Sequence, residues 1–245
     1  MAGFRSYYPL GGLKVGETVE LDAAESRHLL KALRARVGDK VTLFDGQGGA
    51  WCGVLANAGR TAQVHIEDLP PPLNRSVELF LAVALLKGKA LDAVIKCAVE
   101  IGAAGIIPLQ TQHCEVRLDE HRAASKAAHW RTTAIEAAKQ SGNLAAFSIR
   151  DPLPLSAWLA EESEETLRLV ASLEADTPPL LSSLSGHPKR IEVLIGPEGD
   201  FSSAEYQAIA ARRILPVSLG PFVLRAETAC VYALSALHAA CLRGD

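Results

Sequence analysis

The sequence predicts an α/β protein in two parts, a small β-barrel followed by a parallel sheet wrapped in helices. Residues 17–68 hold short alternating segments, each bounded by Gly, Asp or Asn, the pattern of half-buried strands joined by turns. Residues 69–75 read LPPPLNR, and consecutive prolines make a stiff, extended connector. Beyond it, apolar β-branched runs alternate with helix-period segments, the rhythm of a parallel sheet with crossover helices. The expected domains are residues 1–70 and 76–245.

In chain order, the strand-like segments of the first domain are ETVELD, DKVTLFDG, WCGVLANAG and TAQVHIED. One helix interrupts them over residues 24–36, where Arg27, Lys31 and Arg34 fall at i, i+4 and i+7 on one face. Leu29, Leu30 and Leu33 turn largely away from that face, and His28, Arg36 and Lys40 extend its charge. In the second domain VELFLAVALL reads as a buried strand because its apolar run is nearly continuous. KALDAVIKCAVEIG is an amphipathic helix with Leu91, Val94, Ile95, Ala98 and Val99 on one side and Gly102 as its stop. GIIPL at 105–109 is the next strand, and a long helix follows over roughly 120–141. Arg117, Arg122, Lys126 and Arg131 form a second basic region there, while EESEETL at 161–167 reads as solvated acidic surface. LRLVASL and IEVLIG are further strands, and helices begin after Ser202 and Arg225.

The 245 residues are 49% hydrophobic and 22% charged, which supplies a core and excludes disorder. A formal net charge of −3 excludes a protein that coats nucleic acid by bulk charge, while local basic patches stay open. Cys52, Cys97, Cys114, Cys230 and Cys241 have no close pairing and read as reduced thiols, mostly core packing. The opening MAGFRSYYPLGG lacks the apolar stretch of a signal peptide, and runs such as LFLAVALL are too short to span a bilayer. A cytoplasmic protein without a membrane span is expected.

Common cofactor motifs are absent. GPEGDFSS has no lysine after its second glycine, so it is not a GxxxxGK[ST] phosphate loop, and GQGGAW lacks the third glycine of a dinucleotide fingerprint. No HExxH occurs, and QHCE at 112–115 stands without a second ligand cluster, so no metal is expected. Two loops stand out instead. VLIGPEGDF at 193–201 and LGPFVLRAETACVYAL at 219–234 both pass from an apolar strand through a Gly-Pro turn into a helix. In open α/β sheets ligands bind beyond the carboxyl ends of the strands, where glycine lets another molecule approach the backbone. Gly196, Gly199 and Gly220 stand in those places, with Glu198, Arg225, Glu227 and Thr228 beside them. Pro197 and Pro221 stiffen the turns, and Ser202 with Glu205 makes a capping box that starts a helix after Phe201.

LIGPEGDFSSAE and VSLGPFVLRAETA closely resemble the two signature loops of the ribosomal RNA small-subunit uridine N3-methyltransferases. These are S-adenosylmethionine (SAM)-dependent enzymes of the SPOUT superfamily. SRHLLKALRARVGDKVTLFDGQG is similar to the family's N-terminal barrel segment, KGKALDAVIKCAVEIGAAGIIPL to its K…K-x-x-E-x-G…P segment, and HWRTTAIEAAKQS to its R-W…E-A-x-x-Q-S helix. The resemblance implies a PUA-like β-barrel for RNA binding and a SPOUT domain tied as a trefoil knot over roughly residues 165–245. The implied activity is methylation of N3 of a specific uridine in 16S ribosomal RNA. The residues implied around SAM are Leu194, Gly196, Pro197, Glu198, Gly199, Leu219, Gly220, Leu224, Arg225, Thr228 and Ala229, with Glu227 close behind. The chain departs from the family at Asp200, where a second glycine is usual, and after Ser141, where GNLAAF replaces a segment that usually carries arginine.

Transfer to uracil N3 requires loss of a proton that is mostly present at neutral pH. Glu198 and Glu227 are the candidate acceptors, each with loop bracing or helix-end charge compensation as the alternative. Arg225 is the candidate for stabilising charge on the uracil oxygens. On a PUA-like barrel the basic face becomes a candidate RNA contact through Arg27, His28, Lys31, Arg34 and Arg36, joined by Arg131 from the second basic region. The helix over 227–243 is apolar nearly all round through Val231, Leu234, Ala236, Leu237, Ala240 and Cys241, more than one sheet face needs. Together with the family's dimeric habit this implies a two-fold homodimer. Two other classes stay open: a SPOUT methyltransferase acting on another RNA base or on transfer RNA, and a non-catalytic RNA-binding protein.

Overall fold

A computed structural model describes residues 3–71, 73, 75–161, 165–174, 176–184, 186 and 188–242. The chain forms two compact units, Met1–Asn74 with Ala138–Phe147, and Arg75–Ala137 with Ser148–Asp245.

In the first unit β1 (Phe4–Tyr7), β2 (Thr18–Glu20), β3 (Lys40–Phe44), β4 (Ala50–Ala58) and β5 (Ala62–Asp68) form a sheet of order β1-β3-β4-β5-β2. β1 runs parallel to β3, and the other pairings are antiparallel. Alternation along β4 and β5 turns Trp51, Leu55, Val64 and Ile66 inward onto Leu21, Leu29, Val41 and Leu43. β1 escaped the sequence reading because FRSY buries only Ser6 and shows no apolar alternation.

Asp22 caps α1 (Ala23–Arg27) by accepting the Ala24 and Glu25 N–H groups, both at 2.8 Å. The α-helix expected to reach residue 36 stops there. A π turn follows over His28–Ala32, with the Leu33 N–H donating to the His28 carbonyl at 3.0 Å, and Arg34 has a left-handed φ of 58°. The wider turn keeps Leu29 in the core, but Arg34 lies beyond the helix. Arg27, Lys31 and Arg34 therefore do not make one α-helical row, and Leu33 is exposed.

In the second unit β6 (Glu78–Ala84), β7 (Gly105–Gln110), β8 (Ser148–Ile149), β9 (Leu153–Pro154), β10 (Thr166–Ala171), β11 (Arg190–Ile195) and β12 (Leu215–Val217) form one sheet. The order is β12-β10-β11-β6-β7-β8, with β9 also on β7, and every pairing is parallel. β6, β7 and β11 are buried along nearly their whole length, as strands covered on both faces must be. The helices are α2 (Ala90–Ile101), α3 (Glu120–Ser141), α4 (Leu155–Ala160), α5 (Ser203–Ala210) and α6 (Ala226–Cys241). α2 buries the five apolar residues read from its period, packs on α6, and stops at Gly102. Among the described residues no helix is long and apolar enough to cross a membrane.

One carboxylate lies inside this sheet. Glu192 accepts the Trp158 Nε1–H and the Arg168 Nε–H, both at 3.0 Å, and two Arg190 N–H groups at 2.9 and 2.6 Å. Arg168 stacks on Trp158 and Arg190 on Phe80. A buried carboxylate is tolerable only when its lone pairs are filled, and here charged donors fill them. Glu161, first of the acidic stretch, is also engaged: paired N–H groups of Arg150 hold its carboxyl below the usual range. Residues 162–164 of that stretch lie outside the described residues.

The end of α3 falls in the first unit, where it takes part in a buried ion pair. Glu25 Oε1 accepts from Lys139 Nζ at 2.7 Å and Oε2 from the Tyr7 N–H at 3.1 Å. The lysine and glutamate side chains are only 7% and 11% exposed. Arg5 donates to the Lys139 and Gln140 carbonyls at 2.8 and 3.3 Å, satisfying the last turn of α3. The turn where the resembled arginine is missing is thus covered by Arg5, whose guanidinium would stand 2.6 Å from a Cβ at Gly142. Glu25→Ala removes the carboxylate from a buried ammonium and is expected to lower stability by about 3–5 kcal/mol. Urea unfolding checks this; a loss under about 1 kcal/mol would reduce the pair to the worth of a surface contact.

Candidate cofactor pocket

β12, β10, β11 and β6 are neighbours, and their carboxyl ends open on a cavity of about 570 Å³. That is the size and place of a small-molecule site in an open α/β sheet. The loop after β11 contributes Gly196, Pro197 and Glu198, the loop after β12 contributes Leu219, Gly220, Leu224 and Arg225, and the first turns of α6 add Ala229. Three of the expected residues stand elsewhere. Leu194 is buried within β11, opposite Val170 and Ala82 of the flanking strands. Gly199 faces His113, and Thr228 is exposed on α6. The sequence reading missed two walls, Lys87 after β6 and Ala171–Leu173 at the end of β10. Both follow the carboxyl ends of strands visible in LRLVASL and VELFLAVALL, but only the strand order brings them beside the two loops.

The two glycines of the pocket are needed for different reasons. A Cβ at Gly196 would press to 3.0 Å of the buried Phe201 ring, so that position is set by packing beneath the loop. Gly220 has φ 125°, which side chains rarely adopt, with open space where a Cβ would go. Ser218 Oγ braces its turn by accepting the Gly220 N–H at 3.2 Å. Asp200, in place of a usual glycine, also has a left-handed φ, 60°. Aspartate tolerates that region when its carboxylate bonds locally, and Asp200 Oδ1 accepts the Phe201 N–H and the Tyr206 hydroxyl, both at 2.8 Å. The capping box is present, with Glu205 N–H on Ser202 Oγ and Ser202 N–H on Glu205 Oε2.

The charged groups of the pocket are not equivalent. Glu198 Oε1 accepts the Lys87 N–H at 3.3 Å. The Lys87 ammonium pairs with Glu115, and that hydrogen bond raises its pKa. Glu227, half-buried in the first turn of α6, receives no hydrogen bond among the described residues. Arg225 is the exposed N-cap of α6, and its guanidinium makes no hydrogen bond or ion pair among them. Burial, then the Glu227 charge, pushes the neighbouring Cys230 thiol up, so it stays neutral. The pocket therefore offers one uncommitted cation and one uncommitted carboxylate beside the apolar side chains of Leu219, Phe222, Val223 and Leu224.

Of the basic residues, Arg27, Lys31, Arg34 and Arg36 are exposed and form no ion pair among the described residues, while His28 is half-buried. Arg131 is committed to the Ile149 carbonyl and to Asp151 at 2.7 Å. Arg117 donates to the Thr111 and Gln112 carbonyls, and Arg122 pairs with Asp119. Among the described residues no group of three His, Cys, Asp or Glu is placed to hold a metal ion.

A model of the RNA methyltransferase domain matches residues 73–238, and one of the RNA methyltransferase PUA domain matches residues 21–67. Ribosomal RNA small subunit methyltransferase E of Synechocystis is 31% identical over 91% of this chain and 73% of its own. Its Bacillus subtilis counterpart is 29% identical over 93% of each. Among solved structures, a Legionella pneumophila methyltransferase in complex with SAM is 31% identical, with a TM-score of 0.89 over 98% of both chains. The small subunit methyltransferase E of Neisseria gonorrhoeae, bound to SAM, is 30% identical, with a TM-score of 0.88 over 96% of this chain and 97% of that one.

Proposed function

Because the chain belongs to the RNA methyltransferase family that includes the ribosomal RNA small subunit methyltransferases E, we propose that it methylates N3 of one uridine in 16S ribosomal RNA, with SAM as donor. The observation that carries this reading is that both glycine-bearing loops line one cavity at the carboxyl ends of adjacent parallel strands.

The lining fits the donor. Gly220 leaves main chain open for an adenine edge, Leu219, Leu224 and Ala229 offer an apolar wall, and Glu198, Asp200 and Glu227 supply carboxylates for a cationic ligand. When bound, SAM supplies an electrophilic methyl on a positive sulfur. Glu227, uncommitted and half-buried, takes the uracil N3 proton, while Glu198 braces the loop through Lys87. Arg225 stabilises charge on the uracil oxygens. Alignment by the loops supplies most of the remaining rate, roughly 7–11 kcal/mol.

Arg27, Lys31, Arg34 and Arg36 give the first unit a set of uncommitted cations for RNA phosphates. Arg131 contributes less, because Asp151 already neutralises it. β12 flanks β10 while α6 packs on α2, β6 and β11, a return across the sheet that supports a trefoil knot over roughly residues 165–245. The enzyme works in the cytoplasm, where its ribosomal substrate is.

The protein is a homodimer through α6. That helix buries Ala226, Ala229, Cys230, Ala233, Leu234 and Leu237 in its own chain. Leu237 is thus core, not interface. Val231, Ala236, Ala240 and Cys241 remain half-covered, and Tyr232 and Leu242 are exposed. Phe222 and Val223, 79% and 77% exposed, carry the apolar surface to the cavity rim.

Small-subunit RNA treated with the protein and isotope-labelled SAM is expected to gain one N3-methyluridine by mass spectrometry. Gly220→Val forces a side chain into a left-handed backbone, at about 1–3 kcal/mol, and should weaken SAM binding roughly tenfold or more by calorimetry. Label on another base, or parent-like binding by the variant, overturns the assignment. Changing Arg27, Lys31 and Arg34 together to Ala should weaken RNA binding and flatten its salt dependence while sparing SAM affinity; RNA affinity unchanged at low salt returns these cations to plain solvated surface. Ala236→Glu places a charge on the half-covered face and should yield monomers by light scattering. A parent protein already monomeric at micromolar concentration, with full activity, defeats the dimer.

A further inference from the structure

The QHCE segment stands against the first loop of the pocket. Its Gln112 N–H donates to Glu205 Oε1 at 2.7 Å, so the glutamate that closes the capping box also ties the segment to the start of α5. His113 Nδ1 lies 3.1 Å from the Gly199 carbonyl and 3.0 Å from the Asp200 carbonyl. A carbonyl oxygen can only accept, so Nδ1 must carry the hydrogen, and Nε2 of the neutral ring is left as the acceptor. The loop residue it grips is the one with the unusual backbone. Asp200 lines the cavity with a φ of 60° and is held from the other side by the Tyr206 hydroxyl. Tyr206 in turn packs edge-on against Phe201, the ring beneath Gly196. Burial and the Asp200 carboxylate raise the Tyr206 pKa, which keeps the hydroxyl a donor.

We propose that His113 and Tyr206 are positioning residues for the methyl donor: they clamp Asp200 by its carbonyl and its carboxylate, and so hold the loop over 196–201 in the shape that binds SAM. The inference rests on the reading of the cavity as the SAM site. Neither residue touches the reacting atoms. Loss of the clamp raises the dissociation constant and KM for SAM and leaves kcat at saturating SAM unchanged. It also accounts for an aspartate at a glycine position. Glycine would reach the same φ without strain but would give Tyr206 nothing to hold.

The test compares two amides at position 113. The asparagine amide nitrogen is attached at Cγ, where histidine carries Nδ1, whereas the glutamine nitrogen lies one carbon farther out, nearer the place of Nε2. His113→Ala and His113→Gln should weaken SAM binding about tenfold by calorimetry, and His113→Asn should recover most of it, all with parent kcat. Equal behaviour of Asn and Gln, or unchanged affinity in all three, overturns the proposal. Tyr206→Phe should weaken SAM binding in the parent and have no further effect in Asp200→Gly; additive losses overturn the coupling. Nitrogen NMR of the ligand-free protein should find the neutral His113 ring protonated at Nδ1. The opposite tautomer sinks the clamp whether or not SAM binds, while failure of the parent to bind SAM sinks the pocket assignment alone.

Discussion

Parallel pairing makes all strands of the second unit's sheet end on one side, and β12, β10, β11 and β6 are adjacent there. Their loops therefore share one edge, and although the first amides after β6 and β10 still bond to neighbouring strands, groups farther along the loops need other partners. Local donors and acceptors answer this: Ser218 for Gly220, Asp200 for Phe201, and Glu198 for the amide of Lys87. The loops become fixed without being covered. A cavity made this way has a settled shape, with apolar side chains and several charged ones along its wall.

Loops of that kind depend on strands that do not shift beneath them. Glu192 lies in β11 upstream of the first loop and is bonded to Arg168 of β10, to Trp158 of α4 and to Arg190 of its own strand. The guanidinium stacks over Trp158 and Phe80 fix the directions from which those donors come. A strand slipped by one residue would turn the carboxylate to the other face of the sheet, away from every donor, and such a loss is severe in a buried setting. Register in the middle of the sheet is therefore specified by charge as well as by apolar pattern.

The long elements and the two Gly-Pro loops were legible in the sequence because their signals are local. The face of α2 follows from its period, and the start of α5 from Ser202 and Glu205. β8 and β9 were not legible, since strands of two residues are too short to show a period. The π turn was hidden for a different reason: the change from α to π geometry over His28–Ala32 alters hydrogen-bond register without changing composition. At the pocket, the glycines could be read but not their separate duties, because the ring beneath Gly196 comes from Phe201 folding back under the loop. Lys87 and the end of β10 were missed because their place in the wall depends on strand order.

The first unit is discontinuous in sequence, and that has a consequence for how it is made. All five of its strands are complete by Asp68, yet the lysine that faces Glu25 is residue 139. A chain emerging from the ribosome amino end first exposes Glu25 long before its partner, so this sheet cannot reach its final state as an early, self-sufficient unit. The same holds for transplantation. A fragment cut at the proline connector would carry every strand, the cap at Asp22 and the exposed cations, but also a carboxylate shaped for burial with no ammonium to meet it. What looks like a detachable module in the first 68 residues is completed by a lysine much farther along the chain.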